Sequence, residues 1–137
     1  MTEPAEIARL RDTLRAYYER WRQLTEAEGS AISAGQWTQV ESLQVAKQQL
    51  RSFIDGARHD LRAACQACGM ATRGIEQEFR SLIFQLLDLE HANAEVLAAK
   101  RDRASQEKEE VGHVIQKLRE LRRAYAPTRP SVWETYS

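Results

Sequence analysis

The chain has 137 residues, of which 42 % are apolar and 29 % are charged, so a single folded, soluble domain is expected. Lys plus Arg equals Asp plus Glu at 20 each, and this balance argues against nucleic acid or an anionic membrane as a partner. Only 6 Gly and 3 Pro are present, too few for the turns of a sheet protein. Composition therefore predicts an all-α fold.

The first segment carries apolar residues at alternating steps of three and four. This spacing is typical of the seam of a coiled coil or an antiparallel helix bundle. Glu28 interrupts the pattern, and Gly35 is placed to end the helix. The predicted seam consists of Ile7, Leu10, Leu14, Tyr17, Trp21, Leu24 and Ala31.

The second segment repeats the same alternation. Thr38 and Glu41 have the spacing of a capping box, which predicts a helix start near them, and Gly69 marks its end. So few residues separate the first two segments that they are expected to form an antiparallel helical hairpin. The predicted seam consists of Val40, Leu43, Lys47, Leu50, Ile54, Ala57, Leu61, Ala64 and Cys68.

The third segment is the longest. Thr72 is placed to cap its start, and Pro127 forbids further helix. A polar stretch over 100–110 interrupts the apolar pattern, which resumes at Val111, and Gly112 is a point where the helix is expected to bend. The predicted seam before that stretch consists of Ile75, Phe79, Leu82, Leu86, Leu89, Asn93, Val96 and Lys100.

Together these segments predict three long antiparallel helices in a coiled-coil-like bundle, with the third helix longest. Residues 1–125 are assigned to one helical domain, and residues 126–137 to a flexible tail that contains Trp133 and Tyr136. After about thirty residues the third helix is expected to pass the first hairpin turn, so that its last part projects without a partner helix. The alternative is that the helix folds back at Gly112 as a short fourth helix.

No residue pattern indicates an active site. Cys65 and Cys68 form a C-x-x-C motif without the βαβ context of redox motifs or the second ligand pair of a zinc site, so we interpret them as small core residues. His59, His91 and His113 lack metal-ligand spacing and fit solvated helix positions. The carboxylates are scattered over polar faces. We therefore predict that the chain is not an enzyme and binds no metal or cofactor.

Lys47 and Asn93 occupy seam positions where an apolar residue is expected. Lone polar residues at such positions often fix the register of a bundle at some cost in stability. Alternatively, the Lys47 stem packs in the seam while its ammonium reaches solvent.

The location of the protein follows from what the sequence lacks. No apolar run approaches the roughly 18 residues of a membrane-spanning helix, and the first residues do not resemble a secretory signal. Two Cys without such a signal predict a reducing compartment, so we expect a cytoplasmic protein without membrane insertion. The cations over 117–129 are interpreted as a solvated helix end rather than a nucleic-acid site.

The apolar residues after the polar stretch form the predicted partner-binding surface. They keep a helical spacing where no partner helix is expected within the chain, and an unpartnered apolar face is typical of a binding surface. Either an amphipathic helix of another protein or a second copy of the chain, in a homodimer, satisfies this pattern. The predicted residues are Val111, Val114, Ile115, Leu118, Leu121, Arg122 and Tyr125.

Several local patterns follow one another along the chain. Ala34-Gly35-Gln36-Trp37 is followed by Val40-Glu41-Ser42-Leu43 and by a Leu-x-x-x-Lys-x-x-Leu register from Leu43 to Leu50. A leucine-rich stretch precedes Asn93 in the third helix. With these patterns, residues 17–125 resemble the FlgN/FliT-like flagellar export chaperones.

This resemblance implies a cytoplasmic, non-enzymatic role. Family members bind the C-terminal helices of hook-associated or filament-cap subunits, prevent their premature assembly and deliver them to the type III export gate. The substrate-binding segment of the family corresponds here to the last part of the third helix. The resemblance thus implies a secreted structural protein and an export-gate component as partners.

Overall fold

Three α-helices account for almost all of the residues that the structure, a computed structural model, describes, namely 4–125. They are α1 (Ala5–Ala34), α2 (Trp37–Ala67) and α3 (Arg73–Tyr125). No strand occurs in this range, so the predicted all-α fold of three long helices is confirmed. The predicted tail over 126–137, with Trp133 and Tyr136, lies outside the described residues.

Two glycines end the first two helices as predicted. Gly35 and Gly69 have φ angles of 70° and 66°, in the left-handed region that a residue without Cβ adopts most readily. After Gly35 the Gln36 N–H donates to the Ala31 carbonyl at 2.9 Å, and after Gly69 the Met70 N–H donates to the Cys65 carbonyl at 2.9 Å. Both are the six-to-one bonds of a Schellman motif, which satisfies carbonyls at the helix end.

The predicted capping box at the start of α2 is wrong. The helix already begins at Trp37, so Thr38 lies inside its first turn, and no side chain caps the first N–H groups. The left-handed Gly35 reverses the chain immediately after α1, which leaves no room for an extended residue at Thr38. The start of α3 agrees with its prediction, because the helix begins directly after Thr72.

The core lies where the seams of the three helices meet. α2 runs antiparallel to α1, and side chains of α3 complete the cluster. α1 contributes Ile7, Leu10, Leu14, Tyr18 and Leu24; α2 contributes Leu50, Ile54, Ala57, Leu61 and Cys65; α3 contributes Ile75, Phe79 and Leu86. A smaller cluster of Ala31, Ile32 and Val40 lies at the α1–α2 turn.

The seams agree with the burial pattern except at a few positions. Tyr17, Trp21, Leu43, Ala64 and Leu82 are only partly buried, and they pack against the core from its edge. Leu89 is also partly buried. The assignment of Val96 to the seam is wrong, because its side chain is 40 % exposed. Cys68, predicted as a seam residue, is exposed because α2 ends one residue before it, and Cys65 occupies the buried position instead.

The chain divides into two compact units, Met1–Leu97 and Ala98–Ser137. α3 is α-helical through Gly112 to Tyr125, so the described residues contain no separate fourth helix, and the alternative of a helix folded back there is wrong. A bend within the helix at Gly112 and the domain boundaries 1–125 and 126–137 stay predictions.

Leu86 and Leu87 provide a matched test of the core. Leu86 is 6 % exposed and Leu87, its neighbour on α3, is 56 % exposed. We expect Leu86→Ala to lower the free energy of unfolding by about 2–5 kcal/mol, because it removes packed methyl groups and leaves a cavity. Leu87→Ala should change it by less than about 1 kcal/mol. Urea denaturation followed by circular dichroism measures both values, and equal losses would contradict the assigned core.

Candidate binding surface

The predicted partner-binding residues lie on the C-terminal part of α3. From residue 101 to residue 125 every side chain is exposed. Six of them are large and apolar, with exposed fractions that include 60 % for Leu118 and 84 % for Tyr125. These six, called the apolar stripe, are Val111, Val114, Ile115, Leu118, Leu121 and Tyr125.

Helix geometry places the apolar stripe on one face. At 3.6 residues per turn its members fall within an arc of about 120°. Arg122, the seventh predicted residue, lies within the same arc, and His113 and Gln116 lie on the opposite side of the helix. The structure thus brings all the predicted residues onto one continuous helical face.

Cations border this face. Lys117, Arg119, Arg122 and Arg123 are exposed, and Glu120 is the only acidic residue among them. Within residues 4–125 none of the four cations has a carboxylate at ion-pair distance. The face therefore combines an uncovered apolar surface with positive charge, a combination that favours a partner with an apolar face and acidic flanks.

A second group of polar side chains lies among all three helices in the unit Met1–Leu97. Lys47 of α2 forms ion pairs with Glu28 of α1, at 3.4 Å from Nζ to Oε1, and with Glu90 of α3. The Lys47 ammonium also lies 5.0 Å from the centroid of the Trp21 ring. We call this group the polar layer; its members are Trp21, Thr25, Glu28, Lys47, Glu90 and Asn93.

Neutral hydrogen-bonding groups complete the polar layer. The Trp21 indole N–H donates to Glu90 Oε1 at 3.0 Å, and Thr25 Oγ1 lies 3.0 Å from the same oxygen. The Asn93 amide donates to the Thr25 backbone carbonyl at 2.8 Å. Each member of the polar layer thus has a hydrogen-bond or ion-pair partner, which lies either on another helix or on its own helix. Buried polar groups require such partners.

α1 and α3 approach each other closely beside this layer. A Cβ atom added to Gly29 would lie 2.5 Å from Asn93 Oδ1. Because the Asn93 amide is bonded to Thr25, its side chain has little freedom to move away. Gly29 therefore permits the contact between the two helices.

The polar layer excludes one of the two interpretations of Lys47, the one in which its ammonium reaches solvent. Its side chain is 8 % exposed and its ammonium is ion-paired inside the bundle, so the alternative in which it reaches solvent is wrong. The prediction that all carboxylates lie on polar faces is also wrong, because Glu28 is buried and Glu90 is partly buried. Glu28 lies between Leu24 and Ala31, at a position of the alternating pattern where a buried residue is expected. Its spacing therefore indicated its burial, although it was interpreted only as an interruption of the seam.

A third charged group joins α1 to α3. Glu78 forms ion pairs with Arg11 and Arg15. Burial raises the pKa of the Glu78 carboxyl, but the hydrogen bonds and positive charges of the two arginines together outweigh it, so that the pKa lies below its ordinary value. The ionised carboxylate is thus the form that stabilises the bundle.

The cysteines and histidines show no common site in the described part of the chain. Cys65 is buried in the core and Cys68 is exposed. His91 lies 3.1 Å from Glu95 at the next turn of α3. Among residues 4–125 no three His, Cys, Asp or Glu side chains come together in an arrangement that would hold a metal ion.

The comparisons with known proteins add no relative. No family model, curated protein or solved structure matches the chain. Within the described residues, no helix combines the length and hydropathy needed to span a bilayer.

Lys47→Met tests the polar layer. Removing the ammonium leaves the Glu28 and Glu90 carboxylates close together without a counter-charge, so we expect the free energy of unfolding to fall by about 3–5 kcal/mol. Lys100→Met, at a half-buried position of α3 outside the layer, is the matched control and should cost less than about 1 kcal/mol. Urea denaturation gives both values; a Lys47→Met loss no larger than the control would show that the layer does not stabilise the fold.

The lowered pKa of Glu78 predicts that the stability of the fold depends on pH. Since its folded-state pKa is below the unfolded value, its contribution is present above the unfolded pKa and is lost as the pH falls through the folded pKa. We expect Glu78→Gln to cost about 1 kcal/mol at neutral pH and progressively less in acid. Denaturation of parent and variant across the acid range measures this difference. Glu107→Gln, exposed and without an ion pair among the described residues, should show no such convergence.

Proposed function

We propose that this chain is a non-enzymatic binding protein that holds an amphipathic helix of a client protein against the apolar stripe. The observation that carries this proposal is the exposure of six large apolar side chains on one face of a regular helix. Apolar surface of this kind on a helix is suited to a second helix that lays its own apolar face along it.

The size of the stripe fits a complex that forms and dissociates. Burying four or five such side chains contributes roughly 1.5–3 kcal/mol each. Association and the ordering of side chains cost about 4–15 kcal/mol, which offsets much of this gain, so that a moderate and reversible affinity is expected. A chaperone that must release its client requires an affinity of this kind.

The more specific proposal is a cytoplasmic chaperone of flagellar type III export. It is supported by the sequence resemblance around Gly35–Trp37, the Leu43–Leu50 register and Asn93. In this role the client is the C-terminal helix of a hook-associated or filament-cap subunit, which the chaperone keeps from assembling early. An export-gate component is then the second partner.

Leu118→Asp combined with Leu121→Asp tests the stripe. Both leucines are exposed, so the bundle should stay folded, but two buried carboxylates would prevent a client helix from packing. We expect binding of the C-terminal peptides of the hook-associated and cap subunits from the same genome to fall more than about a hundredfold, or about 2.7 kcal/mol. Isothermal titration calorimetry measures affinity, and circular dichroism measures helix content.

His113→Asp combined with Gln116→Asp is the matched control, since it adds the same charge on the opposite side of the helix. Its affinity should stay within about threefold of the parent. If the stripe variant unfolds, the segment is part of the core; if it stays folded and binds normally, the client site lies elsewhere. Light scattering of the chain without a client measures its oligomeric state and tests the alternative of self-association. That alternative predicts a dimer for the parent and a monomer for the stripe variant.

A further inference from the structure

A groove runs between α2 and α3 within residues 4–97 and shares no residue with the apolar stripe. Its floor is apolar and includes Tyr18 of α1, Ile54 of α2 and Ile83 of α3. On the α3 side Phe84 and Leu87 line the groove and are more than half exposed. The bundle thus leaves a second apolar surface uncovered.

The rim of this groove is strongly positive. Its lining includes five arginines, namely Arg51, Arg58 and Arg62 of α2 and Arg73 and Arg80 of α3. The carboxylates among the lining residues are Glu76 and Glu90, and Asp55 of α2 also places its negative charge near the floor residue Tyr18. Glu90 is engaged by Lys47 in the polar layer, and Glu76 lies 3.8 Å from Arg62, so the carboxylates leave most of the positive charge unbalanced.

Helix spacing aligns the arginines along the groove. Arg51, Arg58 and Arg62 are separated by seven and four residues, which places them on one side of α2 over about 16 Å. Arg73 and Arg80, also seven residues apart, form a similar row on α3. Arg80 lies over the Phe84 ring at 5.5 Å from its centroid, so charge and apolar surface adjoin directly.

We propose that this groove binds an amphipathic helical segment of a partner protein whose apolar face is flanked by Asp and Glu. The apolar face would cover Ile83, Phe84 and Leu87, while the acidic flanks would pair with the two arginine rows. This partner site goes beyond the proposed function, because it uses other residues and does not depend on binding at the stripe.

The charges on the chain select this occupant over two others. The apolar stripe of a second copy is bordered by Lys117, Arg119, Arg122 and Arg123, which the arginine rows would repel. Nucleic acid would satisfy the arginines but would leave the exposed Phe84 and Leu87 side chains without an apolar partner.

The probe is a labelled synthetic peptide of about 18 residues with Leu at helical i, i+3, i+4 and i+7 spacing and Glu on both flanks. A second peptide keeps every Leu and replaces every Glu by Lys. Binding is measured by fluorescence anisotropy to the full chain carrying Leu118→Asp and Leu121→Asp, so that the stripe does not contribute. We expect the Glu peptide to bind at least about tenfold more tightly than the Lys peptide, with the difference decreasing as salt is added.

Arg58→Glu combined with Arg62→Glu tests the rim. We expect it to weaken Glu-peptide binding at least about tenfold. The matched control, Arg101→Glu with Arg103→Glu, makes the same charge change on an exposed part of α3 and should weaken binding less than about twofold. Phe84→Ser tests the apolar surface on the α3 side of the groove and should weaken binding of the Glu peptide without changing its salt dependence.

Four results would overturn the proposal. Three of them are equal affinities for the Glu and Lys peptides, absence of Glu-peptide binding up to about millimolar concentration, and equal losses in the rim and control variants. The fourth is tighter binding of a single-stranded oligonucleotide of the same charge, which would favour nucleic acid as the partner. If circular dichroism shows that the rim variant is unfolded, Arg58→Gln with Arg62→Gln replaces it. If the apolar stripe binds no client but the groove binds the Glu peptide, the proposed function fails while the proposal for the groove is supported.

Discussion

The ion pairs of Lys47 with Glu28 and Glu90 connect the three helices of the unit Met1–Leu97 to one another. Each of the three charges comes from a different helix, and a slip of any helix by one turn would separate an ammonium from a carboxylate in a poorly hydrated place. Apolar seams alone do not provide this selection, because leucines one turn apart offer nearly equivalent contacts. The layer thus supplies specificity of register, while the leucine, isoleucine and phenylalanine side chains on both sides of it supply most of the driving force for burial.

Polar contacts also join α1 to α3 on both sides of the layer. Gly29 lets α1 come close to α3 beside Asn93, and Glu78 with its two arginines joins the same pair of helices farther along. Two ion pairs join α2 to α3 among the described residues, one between Lys47 and Glu90 and one between Arg62 and Glu76, which is exposed and 3.8 Å long.

Helix positions and ends were largely predictable, because apolar spacing and glycine stops are local properties of the chain. Gly35 and Gly69 ended helices as expected, and Leu14, Leu50, Ile54 and Leu86 proved to be buried. The capping box failed because the turn at Gly35, three residues before Thr38, lets α2 begin at Trp37. The members of the apolar stripe were found from their spacing alone. The arginine-rimmed groove was not, because its rows come from two helices, and their facing depends on the rotation of each helix about its axis, which a single sequence does not reveal.

The exposed part of α3 has a consequence for its dynamics. Between residues 101 and 125 no side chain is buried, so that helical order there rests on backbone hydrogen bonds and local propensity, which are marginal in water. Local opening in this stretch costs far less free energy than opening of the core, so its amide hydrogens should exchange quickly with solvent. A partner that covers one face would slow this exchange along the whole stretch. The segment would then give up conformational entropy on binding, which keeps the complex weak enough to separate.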